Sequence, residues 1–385
     1  MAVYMDHSAT TALSEHALQE MLPYFREEYG NPSAIYDYGI TAHNVLEKSR
    51  QRVAKCIGAL PTEIFFTSGG TESDNWAIRG VCHRHAEKGR HIITTEMEHN
   101  AVLRTVQQME EEGFEVTYLR PDHLGRISPE QLEEAIRPDT ILISVMMANN
   151  VVGTVLDIKE LAKVAKRHRV LFHTDAVQAV GHIPVNAHAL GVDLLSISAH
   201  KFNGPKGVGV LYCRIPSPLQ AMLTGGGQEK GMRSGTENIP GIVGLTTALE
   251  DATDAMQSST AFLRRLQEKM ISGVLAIPGV QLTGDPENRL PGFCSFVVEG
   301  IPHSVYVVNE MNSKGFCISS GSACSAASRE ASHVLLALGY EKQYAGTSIR
   351  ITLGTDNTEA DVEGALRALG EAIQKVRIES PELAF

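Results

Sequence analysis

The 385-residue chain has little of what staples or anchors a protein. Its 6 Cys include no C-x-x-C pair, too few for a disulfide framework and wrongly spaced for structural zinc. No apolar run approaches the length of a membrane span. The first residues carry Asp6 and His7 where a secretory signal would have a basic start and an apolar stretch. Positive charge is in the minority, 34 Lys and Arg against 45 Asp and Glu, which leaves no field for nucleic acid or anionic lipid. These absences predict a soluble, cytoplasmic protein with reduced thiols, no membrane contact and no direct nucleic-acid contact. What is present, 43% hydrophobic and 21% charged residues, is ordinary globular usage and enough for a large core.

Apolar, β-rich runs alternate with helical patterns from Ile64 onward. Strands are expected at 64–67, 91–95, 114–119, 140–147, 170–174, 194–198 and 207–213, with helices at 71–88, 101–112, 129–137 and 158–168. Continuous apolar strands separated by helices predict an α/β fold with a mainly parallel central sheet over residues 15–240. After Gly241 the pattern changes to one long helix, roughly 242–276, then short strands near 280–282 and 294–298, a helix at 304–314, a strand at 347–353 and a last helix at 359–378. Residues 241–385, together with 1–14, are expected to form a smaller α+β domain.

The richest segment reads VLFHTDAVQAVG, then DLLSISAHKFNGPKG. Asp175 and Lys201 each follow a strand-like run, which puts them at strand carboxyl ends, where open α/β sheets bind ligands. An isolated Asp and Lys are most simply a structural ion pair. Here Ser198, His200 and the glycines 204, 207 and 209 add hydroxyl, imidazole and close backbone approach around Lys201, as a phosphorylated ligand requires. A lysine that attacks a carbonyl, opposite a carboxylate that keeps a ring nitrogen protonated, is the pair that pyridoxal phosphate (PLP) needs.

Ser68-Gly69-Gly70-Thr71-Glu72 lies between a strand and a helix start, so Gly70 and Thr71 become a candidate phosphate cradle. His99 follows another strand and is placed to stack on a planar cofactor or to move a proton. Asn149, Asn150 and Gln178 are candidate partners for a ring hydroxyl. Arg350 alternates with apolar neighbours on a strand, as an inward-facing anion site would. The run SSGSACSAAS cannot build a core, so Cys324 is expected on a mobile, accessible loop, where a thiol is kept for its reactivity. Cys82, His83 and His85 share one helix without complementary ligands, and no metal site is expected.

Taken together, DHSATT, GNPS, TSGGTESDN, EHNAV, ANN, HTDAVQAVG, SAHKFNGPKG, GGGQEKGMRSGTEN, SSGSACSA, SHVLLALG and SIRITLG resemble, in order, the motifs of the NifS/IscS-type cysteine desulfurases. These are class V aminotransferase-like PLP enzymes of the aspartate-aminotransferase fold (fold type I). The resemblance spans nearly the whole chain. It implies that Lys201 carries PLP, Asp175 pairs with the ring nitrogen, Gln178 and Asn150 contact the ring oxygen, and His99 stacks on the ring. Gly70, Thr71, Ser198 and His200 would hold the phosphate, with Thr236 supplied by the other subunit of a homodimer. Asn150 and Arg350 would hold the carboxylate of L-cysteine, and Cys324 would take its sulfur as a persulfide, releasing alanine. The sulfur would pass to an acceptor protein, an iron–sulfur scaffold or a tRNA thiolation enzyme. Val151, His182, Tyr36 and Ala331 depart from the usual pattern without removing a proposed catalytic group.

Three rivals share parts of this reading. A selenocysteine lyase or cysteine sulfinate desulfinase would use the same Lys201 and Asp175 but has no need of Cys324. A class V aminotransferase would require a 2-oxo acid and leaves the SSGSACS run unexplained. A catalytically silent sulfur-transfer scaffold would not need Lys201 at all.

Overall fold

The computed structural model describes residues 2–214, 219–321 and 331–379. In chain order the described strands are β1 (Val3–Tyr4), β2 (Ile64–Thr67), β3 (His91–Thr95), β4 (Glu115–Leu119), β5 (Thr140–Ser144), β6 (Leu171–Asp175), β7 (Leu194–Ser198), β8 (Gly209–Cys213), β9 (Val280–Leu282), β10 (Phe293–Val298), β11 (Phe316–Cys317), β12 (Ser319–Ser320) and β13 (Ser348–Thr352). The main sheet has seven strands in the order β2-β8-β7-β6-β5-β3-β4. Neighbours from β7 to β4 pair in parallel, and β8 runs antiparallel to both β2 and β7.

Helices cover both faces of this sheet, which is why its central strands are buried at nearly every position rather than at alternate ones. On one side Trp76, Ile78 and Val81 of helix Gly70–His85 and Val102, Val106 and Met109 of helix Asn100–Glu111 pack against Ile92, Leu142 and Leu211. On the other, helix Ile158–His168 buries Leu161, Ala162 and Val164. Local chemistry sets that helix's ends. The Asp157 side chain accepts the Glu160 N–H, Lys166, Arg167 and His168 complement the dipole at the last turn, and Arg169 closes it at φ 60°.

The single helix expected over 242–276 is two, Ile239–Asp254 and Met256–Leu275, joined at Ala255. The first packs on helices Asp37–Cys56 and Glu15–Met21 and gives Ile242, Val243, Leu245 and Leu249 to the large core. The second gives Leu263, Leu266, Met270 and Val274 to a separate core under an antiparallel sheet, β12-β13-β10-β9. Each fully buried side chain of this size stabilises its core by about 2 kcal/mol. Helix Glu359–Glu379 completes the second core with Val362, Leu369, Ile373 and Val376. Residues 2–11 cross between the two cores: β1 pairs in parallel with β11, Asp6 bridges to Thr352 on β13, and the Thr11 N–H donates to the His200 carbonyl at 2.9 Å.

Candidate active site

The carboxyl ends of β2, β3, β5, β6 and β7 lie along one edge of the main sheet, and a cavity of about 510 Å³ opens there. Its lining brings together Gly70, Thr71, His99, Asn150, Asp175, Gln178, Ser198, His200, Lys201 and Arg350, side chains drawn from segments up to 280 residues apart. Thr236 is exposed and is not part of this lining. Cys324 lies outside the described residues.

Each wall has a local cause. Gly69 sits at φ 149°, a conformation closed to residues with a Cβ, and turns the chain from β2 into helix Gly70–His85. Gly209 opposite must also be glycine, because a Cβ there would meet the Gly69 Cα at 2.6 Å. The first turn of the helix therefore opens onto the cavity beside Ser198 and His200. Unmet N–H groups, hydroxyls and the positive end of a helix dipole form a site for a phosphate. The His200 imidazole is pushed down to about 4 by burial and by Lys201 and Lys206, so it is neutral.

Asp175 ends β6, and one carboxylate oxygen accepts the Val177 N–H at 2.9 Å. Behind it on helix Gly70–His85 is a second buried carboxyl, Asp74. Burial raises both acids. Asp175 has His99, Lys201 and the Val177 N–H to favour its charge, whereas Asp74 has only Ser196 and is opposed by Asp175. The negative charge thus belongs to Asp175 and the proton to Asp74. His173, pushed down to about 3 by complete burial, bridges Ser144 and Ser196 at 2.8 and 3.0 Å beneath the pair.

His99 caps helix Asn100–Glu111, its Nδ1 accepting the Ala101 N–H at 3.1 Å. That bond assigns the proton of the neutral ring to Nε2, and burial keeps the ring neutral. Glu98 before it is wholly buried and pushed up to about 8. Its Oε1 accepts from Thr95 and from the Met146 N–H, and its Oε2 has no hydrogen-bond partner among the described residues. His333 donates from Nε2 to the Glu98 carbonyl at 3.0 Å and lines the same cavity. Of the two candidate asparagines only Asn150 reaches the cavity. Asn149 spends its amide on the Met97 carbonyl and on the Val151 and Val152 N–H groups, shaping the turn after β5.

Lys201 Nζ donates to the carbonyls of Ser8 and Ala9 at 2.7 and 2.9 Å. Gln178 Nε2 reaches the same Ser8 carbonyl at 3.0 Å, and Thr10 Oγ1 meets His200 Nδ1 at 3.1 Å. Asp6 pairs with Arg350. The segment 6–11 is therefore a strap that touches four of the predicted residues, a role the sequence reading missed although DHSATT marks the place. Asp74, Glu98 and His333 were missed too. Each belongs to a motif segment singled out above, but only the folded chain puts them behind Asp175 and His99.

The donor set fits PLP: an amine, a carboxylate beyond it at the carboxyl end of the neighbouring strand, a neutral imidazole at a helix start, and a helix N-terminus with Ser and His for a phosphate. The aminotransferase class-V family model matches residues 3–364. The cysteine desulfurase IscS of Methanosarcina thermophila is 47% identical, with 99% of this chain and 94% of that one covered. The cysteine desulfurase IscS of Clostridium botulinum is 46% identical, covering 98% and 96%. Among solved structures a NifS-like protein superposes with a TM-score of 0.91 at 38% identity, covering 97% of this chain and all of the other. Likeness at this level over the full chain leaves one family: the chain belongs to the aminotransferase class-V PLP enzymes, in the NifS/IscS-like cysteine desulfurase group.

Proposed function

We propose that this PLP-dependent cysteine desulfurase converts L-cysteine to L-alanine and hands the sulfur, through a persulfide on Cys324, to an acceptor protein of iron–sulfur cluster assembly or tRNA thiolation. The observation that carries the reading is the convergence of Lys201, Asp175, His99 and Arg350 on one cavity. Bound PLP supplies an electron sink for cleavage at the substrate Cα. Lys201 holds the cofactor and then moves the Cα proton, while the Ser8 and Ala9 carbonyls, which line the same cavity, position its amine. Asp175 keeps the ring nitrogen protonated. Gly70, Thr71, Ser198 and His200 take the phosphate, Gln178 and Asn150 the ring oxygen, and the His99 ring covers one face with its Nε2–H free to serve as a proton donor.

Arg350 and Asn150 hold the substrate carboxylate. The Cys324 thiolate attacks the substrate sulfur. The S–S bond forms, the Cβ–S bond breaks, and the electron pair left on carbon takes a proton to become the methyl group of alanine. A homodimer places Thr236 at the other subunit's cofactor. Its support is the apolar surface of residues 22–40, where Phe25, Tyr29, Ile35 and Tyr36 are each more than half exposed among the described residues. The large domain of residues 15–240, the smaller one of 1–14 with 241–385, and a cytoplasmic setting belong to the same reading, with the boundary corrected to follow helix Ile239–Asp254, which packs in the large core. Among the described residues no helix is long and apolar enough to cross a membrane.

Two variants test the chemistry. Lys201→Ala loses the absorbance of lysine-bound cofactor and all turnover. Cys324→Ala keeps the cofactor band and loses sulfide and alanine production from L-cysteine. Full desulfurase activity in Cys324→Ala would remove the persulfide step and favour the selenocysteine or sulfinate reading.

A further inference from the structure

Arg350 already has a carboxylate before any substrate arrives. Its NH2 nitrogen donates to Asp6 Oδ1 at 2.7 Å and its NH1 nitrogen to the Asn150 carbonyl at 2.7 Å, while Nε is buried without an acceptor among the described residues. The guanidinium is 2% exposed and lines the cavity, and the Asp6 side chain is 17% exposed, so the pair is weakly screened.

Asp6 is also fixed in place. Its neighbours bond to β13, the strand that carries Arg350: the Thr352 N–H donates to the Met5 carbonyl at 2.9 Å, and the His7 N–H to the Thr352 carbonyl at 3.3 Å. Tyr4 Oη holds the Asp6 carbonyl at 3.0 Å. Strand register therefore holds the Asp6 backbone opposite Arg350, so an incoming carboxylate meets Arg350 with the Asp6 carboxylate beside it. It must share Arg350 with it.

Resting on the reading of Arg350 as the substrate-carboxylate site, the geometry points to Asp6 as a resident competitor, a carboxylate that keeps Arg350 paired and oriented between turnovers and weakens its grip on carboxylate ligands. A cation with one anion already bound attracts a second less, and the two anions repel across it. The consequence is a site tuned away from tight binding, which lets the product carboxylate leave. Asp6 is thus a specificity and positioning residue rather than a catalytic one.

The test uses the holoenzyme and 3-mercaptopropionate, which has the carboxylate and thiol of cysteine but no amine with which to engage the cofactor. Binding is measured by titration calorimetry. Asp6→Asn keeps an oxygen to accept from Arg350 NH2 and removes the charge, so the Kd falls about tenfold. The KM for L-cysteine falls in the same direction, and the resting cofactor absorbance does not move. Asp6→Ser, which removes the charge with a shorter polar group, gives the same sign and replaces Asp6→Asn if that variant fails to fold. A merely structural role would loosen the site and raise the Kd. An equal or higher Kd in the charge-free variants overturns the proposal. If Arg350→Ala binds 3-mercaptopropionate as the parent does, it is the Arg350 reading that falls, and the proposal with it.

Discussion

Arg50 and Glu229 form a bidentate ion pair inside the protein, with NH1 to Oε2 at 2.9 Å and NH2 to Oε1 at 2.8 Å. Their side chains are 4% and 2% exposed, and the Phe66 N–H adds a third bond to the same carboxylate. The pair pins the Gly-rich stretch 225–238, with its left-handed Glu229 and Lys230, to the C-terminal half of helix Asp37–Cys56 and to β2 of the main sheet. Removing one partner strands a buried charge. Glu229→Gln is expected to lower unfolding stability by about 3 kcal/mol in a urea titration, and adding Arg50→Met should restore part of it. Additive losses in the double variant would mean that the two residues act independently.

The two buried acids should respond differently to the same change. Asp175→Asn removes a charge the ring nitrogen needs, so cofactor affinity falls by more than about tenfold and the absorbance maximum moves. Asp74→Asn replaces an acid that already holds its proton, and affinity changes by less than about threefold. Equal losses, read by equilibrium dialysis of PLP, would place charge on Asp74 as well.

Glu98 predicts a pH slope of defined sign. Its folded value, about 8, lies above the ordinary carboxylate value of 4.5, so the folded chain binds more protons than the unfolded chain between those limits. Its contribution is therefore complete below pH 4.5 and is lost as pH rises toward 8, amounting to on the order of 5 kcal/mol. Glu98→Gln, which cannot ionise, should show a flatter decline between pH 6 and 8 in denaturation experiments. An unchanged slope would assign the effect to other groups.

The apolar surface ahead of helix Asp37–Cys56 should behave as a subunit contact. Ile35 is 93% exposed, and Phe25 is more than half exposed. Phe25→Glu with Ile35→Glu is expected to turn a dimer into monomers in sedimentation velocity and to weaken PLP retention, since Thr236 would lose its partner site. A dimer that survives both charges would put the contact elsewhere.

Much of the sheet is legible in the chain. Strands at 64–67, 91–95 and 194–198 fall where apolar runs end in Gly, Ser or a charged residue, because burial on both faces leaves an uninterrupted signal. The run at 140–147 misleads. β5 stops at Ser144 although Val145 and Met147 still donate to the His173 and Asp175 carbonyls of β6, because on the other side Met146 turns its N–H to Glu98 and the Met147 carbonyl takes the Leu156 N–H. The antiparallel direction of β8 leaves no trace in composition. The break at Ala255 has no Pro or Gly to announce it and reflects two cores asking different faces of one amphipathic stretch. Lys201, Asp175 and His99 were readable because strand ends collect ligands. The carbonyls of Ser8 and Ala9 were not, since a backbone oxygen looks the same at every residue.

The strap of residues 6–11 also dictates an order of events. Its partners on β13 lie more than 340 residues downstream, Ser8 N–H to Thr352 Oγ1 among them. During synthesis Asp6 and Ser8 therefore wait for β13, whereas the contacts of Ser8, Thr10 and Thr11 with Gln178 and His200 can form as soon as those residues are made. Contacts of such sequence separation form late and slowly. The Arg350 side of the site is thus assembled last, after the Lys201 side, so the cofactor end of the cavity can form before its substrate end.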